Sequence, residues 1–160
     1  HATPSDKKVE NGDFIVMDFG ALYKGYHADM TRTIVVGSAS DRHHEIYNIV
    51  LESQLAGINY ARSGIKCSEL DKACRDVIKD KGYGELFMHS TGHGLGLEVH
   101  TMPRIAWTND TLLKANNVIT IEPGIYIAGW GGVRIEDDCL INEDSCHPMN
   151  RSTKDLVVVD

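Results

Sequence analysis

Four carboxylates in this chain sit where apolar runs end or return. Asp18 follows Phe14-Ile15-Val16-Met17 and Glu122 follows Val118-Ile119-Thr120-Ile121, while Asp29 and Glu136 lie on the returning segments 28–36 and 133–142. A carboxylate at the end of a buried strand is costly, and it takes up a proton unless a cation compensates its charge. Four of them facing one axis would repel one another strongly. Two divalent cations balance four carboxylates, and the neutral imidazole of His93 can complete the ligand shell. The chemistry open to such a set is activation of a water by paired metal ions.

Around these residues, His89, His93 and His100 share one segment, His89-Ser90-Thr91-Gly92-His93-Gly94-Leu95-Gly96-Leu97-Glu98-Val99-His100. Its glycines allow backbone to approach a site closely. His27, His43, His44 and His147 have no such setting and are expected on the surface. Arg134 stands two residues before Glu136 in a strand, so both side chains should face one side. There it can hold a substrate carboxylate through two parallel hydrogen bonds, or pair with Asp137 or Asp138.

The elements that must position these groups are readable from pattern. Residues 14–18 read as a strand, 28–36 as a second strand, and Lys24-Gly25 as the turn between them. A helix is expected over 41–62, closed by Ser63-Gly64. Ser68 and Asp71 read as a capping box opening a second helix, whose Leu70, Ala73, Cys74, Val77 and Ile78 form one stripe and which Gly82 and Gly84 stop. Segment 89–100 reads as strand and loop, and 118–122, 125–127 and 133–142 as three strands.

An internal repeat links the two acidic hairpins. Asn11-Gly12-Asp13, the strand ending at Asp18-Phe19-Gly20, and Tyr23 with Gly25-Tyr26 parallel Ala115-Asn116-Asn117, the strand ending at Glu122-Pro123-Gly124, and Tyr126 with Gly129-Trp130. Asp29 and Glu136 are the second acids of each copy. Two halves related by a pseudo-two-fold, with carboxylates meeting at the axis, follow from this arrangement. The second copy is preceded by two helices and the first is not, so a helical segment of roughly 70–80 residues is expected ahead of the sequence, which starts at His1 and not at Met. Without it, Ile15, Met17 and Phe19 would present an open face, covered by another copy (a homodimer) or by that N-terminal segment.

The totals bound the rest. The 160 residues fit one domain, here 1–160, and 42% hydrophobic with 24% charged residues is ordinary for a globular chain. A net charge of −7 argues against nucleic acid or an anionic membrane as partner. No apolar run reaches the roughly 20 residues of a membrane helix. Cys67, Cys74, Cys139 and Cys146 form no close pair, so they are read as reduced, mostly buried thiols of a cytoplasmic protein.

Met17-Asp18-Phe19-Gly20, Gly25-Tyr26-His27-Ala28-Asp29-Met30-Thr31-Arg32-Thr33, Gly92-His93-Gly94-Leu95-Gly96-Leu97-Glu98-Val99-His100, Thr120-Ile121-Glu122-Pro123-Gly124-Ile125-Tyr126 and Gly132-Val133-Arg134-Ile135-Glu136-Asp137-Asp138 follow one another in an order that resembles the pita-bread metallopeptidases. This group includes creatinase, prolidase, aminopeptidase P and methionine aminopeptidase, and the likeness is strongest to its Xaa-Pro branch, prolidase and aminopeptidase P. The resemblance implies an α+β pita-bread fold lacking its first helical segment and the family's separate N-terminal domain. It implies that Asp18 serves one metal only, that Asp29 and Glu136 bridge, and that His93 and Glu122 serve the other metal. His89 and His100 resemble histidines that meet substrate and stabilise the tetrahedral intermediate, His1 falls at a further substrate-contacting histidine, and Arg134 resembles the arginine near the substrate carboxylate. Thr101 departs from the acidic residue usual at that place.

The activity implied is two-metal hydrolysis of peptide bonds, with proline second in the peptide substrate and Glu122 moving the proton to the leaving nitrogen. The oxygen-rich ligand set suits Mn²⁺, with Co²⁺ or Zn²⁺ as alternatives. Rival readings are a methionine aminopeptidase, a metal-free creatinase-type hydrolase, and a catalytically silent fragment or peptide-binding module. Retention of all five ligand candidates speaks against the last two, and Arg134 in Arg-Ile-Glu-Asp against the first.

Overall fold

A computed structural model describes residues 5–160, so His1 and the substrate contact expected of it lie outside the described residues. The first acidic copy folds as β1 (Phe14–Phe19), a small hairpin of β2 (Leu22–Tyr23) and β3 (Tyr26–His27), and β4 (Met30–Val36). The second folds as β7 (Val118–Ile121), a hairpin of β8 (Gly124–Ile127) and β9 (Gly131–Arg134), and β10 (Asp137–Ile141). In each copy the first strand pairs antiparallel with the last: Asp18 lies opposite Thr31, and Thr120 opposite Asp138. The repeat read from the sequence is therefore a repeat of strand, hairpin and returning strand.

Helices α1 (Asp41–Tyr60) and α2 (Cys67–Asp80) lie between the copies. Leu70, Cys74 and Ile78 of α2 recur every fourth residue and are fully buried, as the stripe requires. They share a core with Ile46 and Val50 of α1 and with Ile119, Ile121, Ile125, Ile135 and Ile141 of the second copy. That copy belongs to a five-stranded sheet ordered β11-β10-β7-β5-β6, in which β5 spans Gly92–Gly94, β6 Thr101–Ile105 and β11 Cys146–Pro148. The first copy forms a three-stranded sheet, β1-β4-β12, closed by β12 (Val157–Val159) running parallel to β4. Ile15 and Met17 are half-buried in this sheet, while Phe19 stays 51% exposed. The face expected to be open is thus partly covered by the chain itself and open at Phe19.

Four expectations need correction. Residues 133–142 are not one strand. The ladder breaks at Ile135-Glu136, because the Glu136 amide leaves its own hairpin and donates to the Thr31 carbonyl of the other copy at 3.1 Å. The segment 28–36 breaks in the same manner, at Ala28-Asp29, where the Asp29 amide donates to Asp138 Oδ2 at 3.0 Å. Each break puts an acid at the seam between the copies.

His43 is buried, not on the surface. It stands in the first turn of α1, where its Nδ1 accepts the Ser40 amide at 2.9 Å and its Nε2 meets the Gly12 carbonyl at 2.9 Å. Its ring packs edge-on against Phe14. A histidine can thus do the reciprocal capping that glutamate usually does. His44 and His147 are exposed as expected and His27 is half-buried.

Asp71 does not cap α2. The helix starts two residues earlier than a Ser68 cap implies, and Glu69 reaches back to the Lys66 amide at 3.0 Å. Asp71 is instead fully buried. It receives two bonds from Arg75, at 2.8 and 2.9 Å, and two from Thr91, from its amide at 3.1 Å and its hydroxyl at 2.9 Å. Arg75 in turn donates to the carbonyls of Phe87 and His89, so α2 fixes the segment that carries His89 and leads to His93.

The cysteines are free, Cys67, Cys74 and Cys139 buried and Cys146 half-buried. Among the described residues no helix is long and apolar enough to cross a membrane.

Replacing Asp71 strands the Arg75 guanidinium and the buried Thr91 donors. Asp71→Ala should cost about 3 kcal/mol of unfolding free energy in urea titration. A change below about 1 kcal/mol would show that the network does not hold this segment.

Candidate metal centre

At the seam, the side chains of Asp18, Asp29, His93, Glu122 and Glu136 converge. Three sets of ligand atoms lie within 4.8 Å of one another: Asp18 with Asp29 and Glu136, His93 with Glu122 and Glu136, and Asp29 with His93 and His100. Glu136 belongs to the first two sets and Asp29 to the first and third. The structure therefore brings together all five ligand candidates named from the sequence, and His100 with them.

Local structure explains how a histidine reaches this seam. Strand β5 is squeezed between β7 and β6. A Cβ at Gly92 would stand 2.0 Å from the Thr120 carbonyl oxygen, and one at Gly94 2.4 Å from that of Met102. Only glycine fits on either side of His93. The His93 Nδ1 lies 3.0 Å from the Gly94 carbonyl, which can only accept, so Nδ1 carries the proton and Nε2 keeps its lone pair. That nitrogen faces Glu122 Oε1 at 3.3 Å and Asp29 Oδ2 at 3.7 Å. The Thr120 hydroxyl accepts the His93 amide at 3.1 Å and donates to Glu122 Oε1 at 3.1 Å, tying the two ligands together.

The electrostatics call for cations. Burial lowers the His93 pKa, so the imidazole stays neutral and brings no charge to its acidic neighbours. Burial, then the neighbouring Glu122 and Asp29, push Glu136 well above the ordinary carboxylate range. Burial does the same to Glu122, with the Asp29 and Asp18 charges adding to it, and burial followed by Asp18 raises Asp29. Asp138, which holds the Asp29 amide, is pushed up to about 6, chiefly by burial. Glu136 Oε1 is buried without any hydrogen-bond partner. An orphaned carboxylate oxygen and an imidazole lone pair aimed at acids are both what a divalent cation would satisfy, so these residues fit the metals that the sequence implies.

A cleft of about 1170 Å³ opens over this cluster. Arg134 lines it, but its guanidinium is engaged by the protein: it pairs with Asp18, donates from Nε to the Thr31 hydroxyl at 3.0 Å, and from Nη1 to the Tyr126 hydroxyl at 3.3 Å. Neither Asp137 nor Asp138 is its partner. Tyr126 lies 2.9 Å from His89 Nε2, and His89 Nδ1 lies 2.8 Å from the Ser90 carbonyl. That carbonyl fixes the His89 proton on Nδ1, so Tyr126 donates to Nε2. Burial lowers the His89 pKa and keeps the ring neutral. His100 stands with its ring centroid 4.3 Å from that of His93.

Sequence reasoning missed Thr31, Thr120, Tyr126, Asp138 and Arg104 as members or rim of this site. Only Tyr126 had a local signal, its place in the repeat. Thr31, Asp138 and Arg104 act through partners distant in the chain, and Thr120 links nearby Glu122 to distant His93.

Because the acids hold protons that a metal must displace, Mn²⁺ binding near neutral pH should release protons, and affinity should rise with pH. The stability of the metal-free chain has the opposite sign. Carboxyls whose folded pKa is raised lose their stabilising protonation as pH climbs, so melting in chelator should fall between about pH 5 and pH 8. Calorimetry in buffers of different ionisation enthalpy, with melts across that range, checks both. Binding without proton release, and a flat melting profile, would contradict this electrostatic picture.

Residues 1–143 match metallopeptidase family M24. The Xaa-Pro dipeptidase of Pyrococcus furiosus is 50% identical over 157 residues, which make up 98% of this chain and 45% of that protein. Among solved structures, the Xaa-Pro dipeptidase from Bacillus anthracis superposes with a TM-score of 0.96 at 52% identity, over 99% of this chain and 45% of that one. The X-Pro aminopeptidase from Thermotoga maritima does so with 0.96 at 46% identity, again over 99% and 45%. The chain spans a little under half the length of these relatives. With residues 1–143 matched and half of its residues shared with an Xaa-Pro dipeptidase, the chain belongs to metallopeptidase family M24.

Proposed function

We propose that this seam is the centre of a two-metal hydrolase acting on peptides with proline in second place. The observation that carries the reading is the convergence of four acids on one neutral imidazole, with the orphaned Glu136 Oε1 among them. Asp18 would serve one ion and His93 and Glu122 the other, with Asp29 and Glu136 shared between them. Mn²⁺ is the ion proposed, since the donor set is mostly carboxylate oxygen, with Co²⁺ and Zn²⁺ as alternatives. Bound divalent ions supply Lewis-acid polarisation of a carbonyl and lower the pKa of water.

The protein's own groups supply the rest. Glu122, raised by burial and anchored by the Thr120 hydroxyl, is suited to take a proton and pass it to the leaving nitrogen. For an Xaa-Pro bond that nitrogen is a secondary amine, which leaves poorly unless protonated. His100 lines the cleft as a hydrogen-bonding group for a carbonyl oxygen gaining charge, while His89 and Tyr126, whose protons are engaged by the Ser90 carbonyl and by His89 Nε2, shape the wall beside it. Both named relatives among the dipeptidases, and the aminopeptidase, act on Xaa-Pro substrates by their names, which favours this branch.

Two arginines face the cleft, and their engagement differs. Arg134 is bound to Asp18, Thr31 and Tyr126, whereas Arg104 is exposed and makes a single long bond, to Ser90 Oγ at 3.3 Å. Arg104 therefore has the donors to spare for the carboxylate of a dipeptide, and Arg134 holds Asp18 in place.

With Mn²⁺ present, the protein should cleave Xaa-Pro dipeptides faster than Xaa-Ala. Arg104→Met should raise KM for a dipeptide by roughly tenfold or more, because a charged hydrogen bond is lost. Its KM for the same peptide amidated at the C-terminus should not change. Absence of Xaa-Pro cleavage would sink the assignment, and equal effects on both peptides would sink the part given to Arg104.

A further inference from the structure

Arg32 is 6% exposed in the middle of β4 and is absent from the cleft. An arginine has five N–H donors. Here each finds an acceptor. Nε donates to the Thr153 carbonyl at 3.0 Å, and Nη1 to the carbonyls of Thr31 at 2.9 Å and Glu136 at 2.6 Å. Nη2 donates to Asp137 Oδ1 at 2.7 Å and to the Ser152 carbonyl at 3.2 Å. One guanidinium thus holds backbone from the first copy, from the second copy and from the C-terminal segment.

The residue beside it completes the arrangement. The Thr31 hydroxyl donates to Glu136 Oε2 at 2.5 Å, and the Thr31 carbonyl accepts the Glu136 amide at 3.1 Å. Arg134 Nε donates to the same hydroxyl at 3.0 Å, leaving its proton directed at Glu136. Glu136 is therefore held at three points by two consecutive residues of the opposite copy: its amide and carboxylate by Thr31, its carbonyl by Arg32. Its other oxygen, Oε1, is left without a protein partner. A strand end in a broken ladder would otherwise be free to rotate that carboxylate.

We infer that Thr31 and Arg32 form a clamp that positions Glu136 as a ligand shared by both metals, held chiefly through the backbone carbonyls that Arg32 binds. Asp137 is fully buried and accepts from Arg32, from Gln54 Nε2 at 3.0 Å and from Lys154. Thr31 and Arg32 are positioning residues, since neither lines the cleft. A lysine at position 32 has three donors from one nitrogen and cannot serve five acceptors spread over three segments.

The inference rests on the metal-centre reading, and titration calorimetry with Mn²⁺ alone tests both without turnover. Four proteins are compared with the parent: Arg32→Lys, Thr31→Val, Thr31→Ser, and Lys154→Met as a control that loosens Asp137 but leaves Glu136 untouched. Melting temperatures in chelator report the fold separately. Arg32→Lys and Thr31→Val should lose tenfold or more in Mn²⁺ affinity, while Thr31→Ser keeps the hydroxyl and binds like the parent. Lys154→Met should melt lower yet bind Mn²⁺ within about twofold of the parent. Should Arg32→Lys fail to fold, the Thr31 pair decides. Parent-like affinity in Arg32→Lys or Thr31→Val would overturn the clamp, as would losses in Lys154→Met that match theirs. A parent that binds no Mn²⁺ would overturn the metal-centre reading instead.

Discussion

Like charges crowded at a half-buried seam set the conditions that the rest of this molecule meets. Asp18 and Asp29 come within a few ångströms of Glu136, as does Glu122 from the other side, and the imidazole among them is kept neutral by burial. In water such carboxylates would separate. Here they cannot, because Asp18 and Glu122 are fixed at strand ends, and Asp29 and Glu136 at ladder breaks whose backbone bonds are made across the seam. Protonation can relieve the repulsion, and the raised pKa values of Glu122, Glu136 and Asp29 express that route. Divalent cations relieve it more completely. The guanidinium of Arg134, paired with Asp18, adds a positive charge that a count of acids and metals alone leaves out.

The two copies depend on each other for this geometry. Asp29 is held by Asp138 of the second copy, and Glu136 by Thr31 of the first. Beneath them the buried ion pair of Arg32 and Asp137 joins both copies to residues 152–154. Above them, the Asp71–Arg75 pair of α2 fixes the segment between Phe87 and Thr91, and so the approach to His93. Buried ion pairs of this kind add little net stability against an apolar alternative, yet removing one partner is costly. Their value here is geometric: they hold ligands that would otherwise move apart.

Much of this was legible in the sequence because the signals are local. Apolar runs ending in acids gave the strand ends, the stripe of Leu70, Cys74 and Ile78 gave α2, and Gly92 and Gly94 marked the close approach around His93. The paired motifs gave the repeat, and with it the convergence of the four acids. Longer-range bonds were not legible. The ladder break at Glu136 is caused by Thr31, 105 positions away, and nothing in Val133-Arg134-Ile135-Glu136 announces it. Asp71 sits at the spacing of a capping acid, but Arg75 and Thr91 draw it into the core. His43 looked like a surface residue because its acceptor, Gly12, comes from another element. Arg134 could be placed beside the site but not paired, since its partners Asp18 and Thr31 lie on the other copy.

The central claim is that the acids gather to hold two divalent ions, and a thermal melt tests it most directly. The chain is melted in chelator and again in Mn²⁺ at about a hundred times its dissociation constant, with bound metal counted by plasma mass spectrometry. Occupation of one site at that excess stabilises the fold by about 2.7 kcal/mol, which for a domain of this size raises Tm by roughly 5–10 °C. The account predicts at least that shift, with two ions bound per chain. Superimposable melts and no retained metal would contradict it.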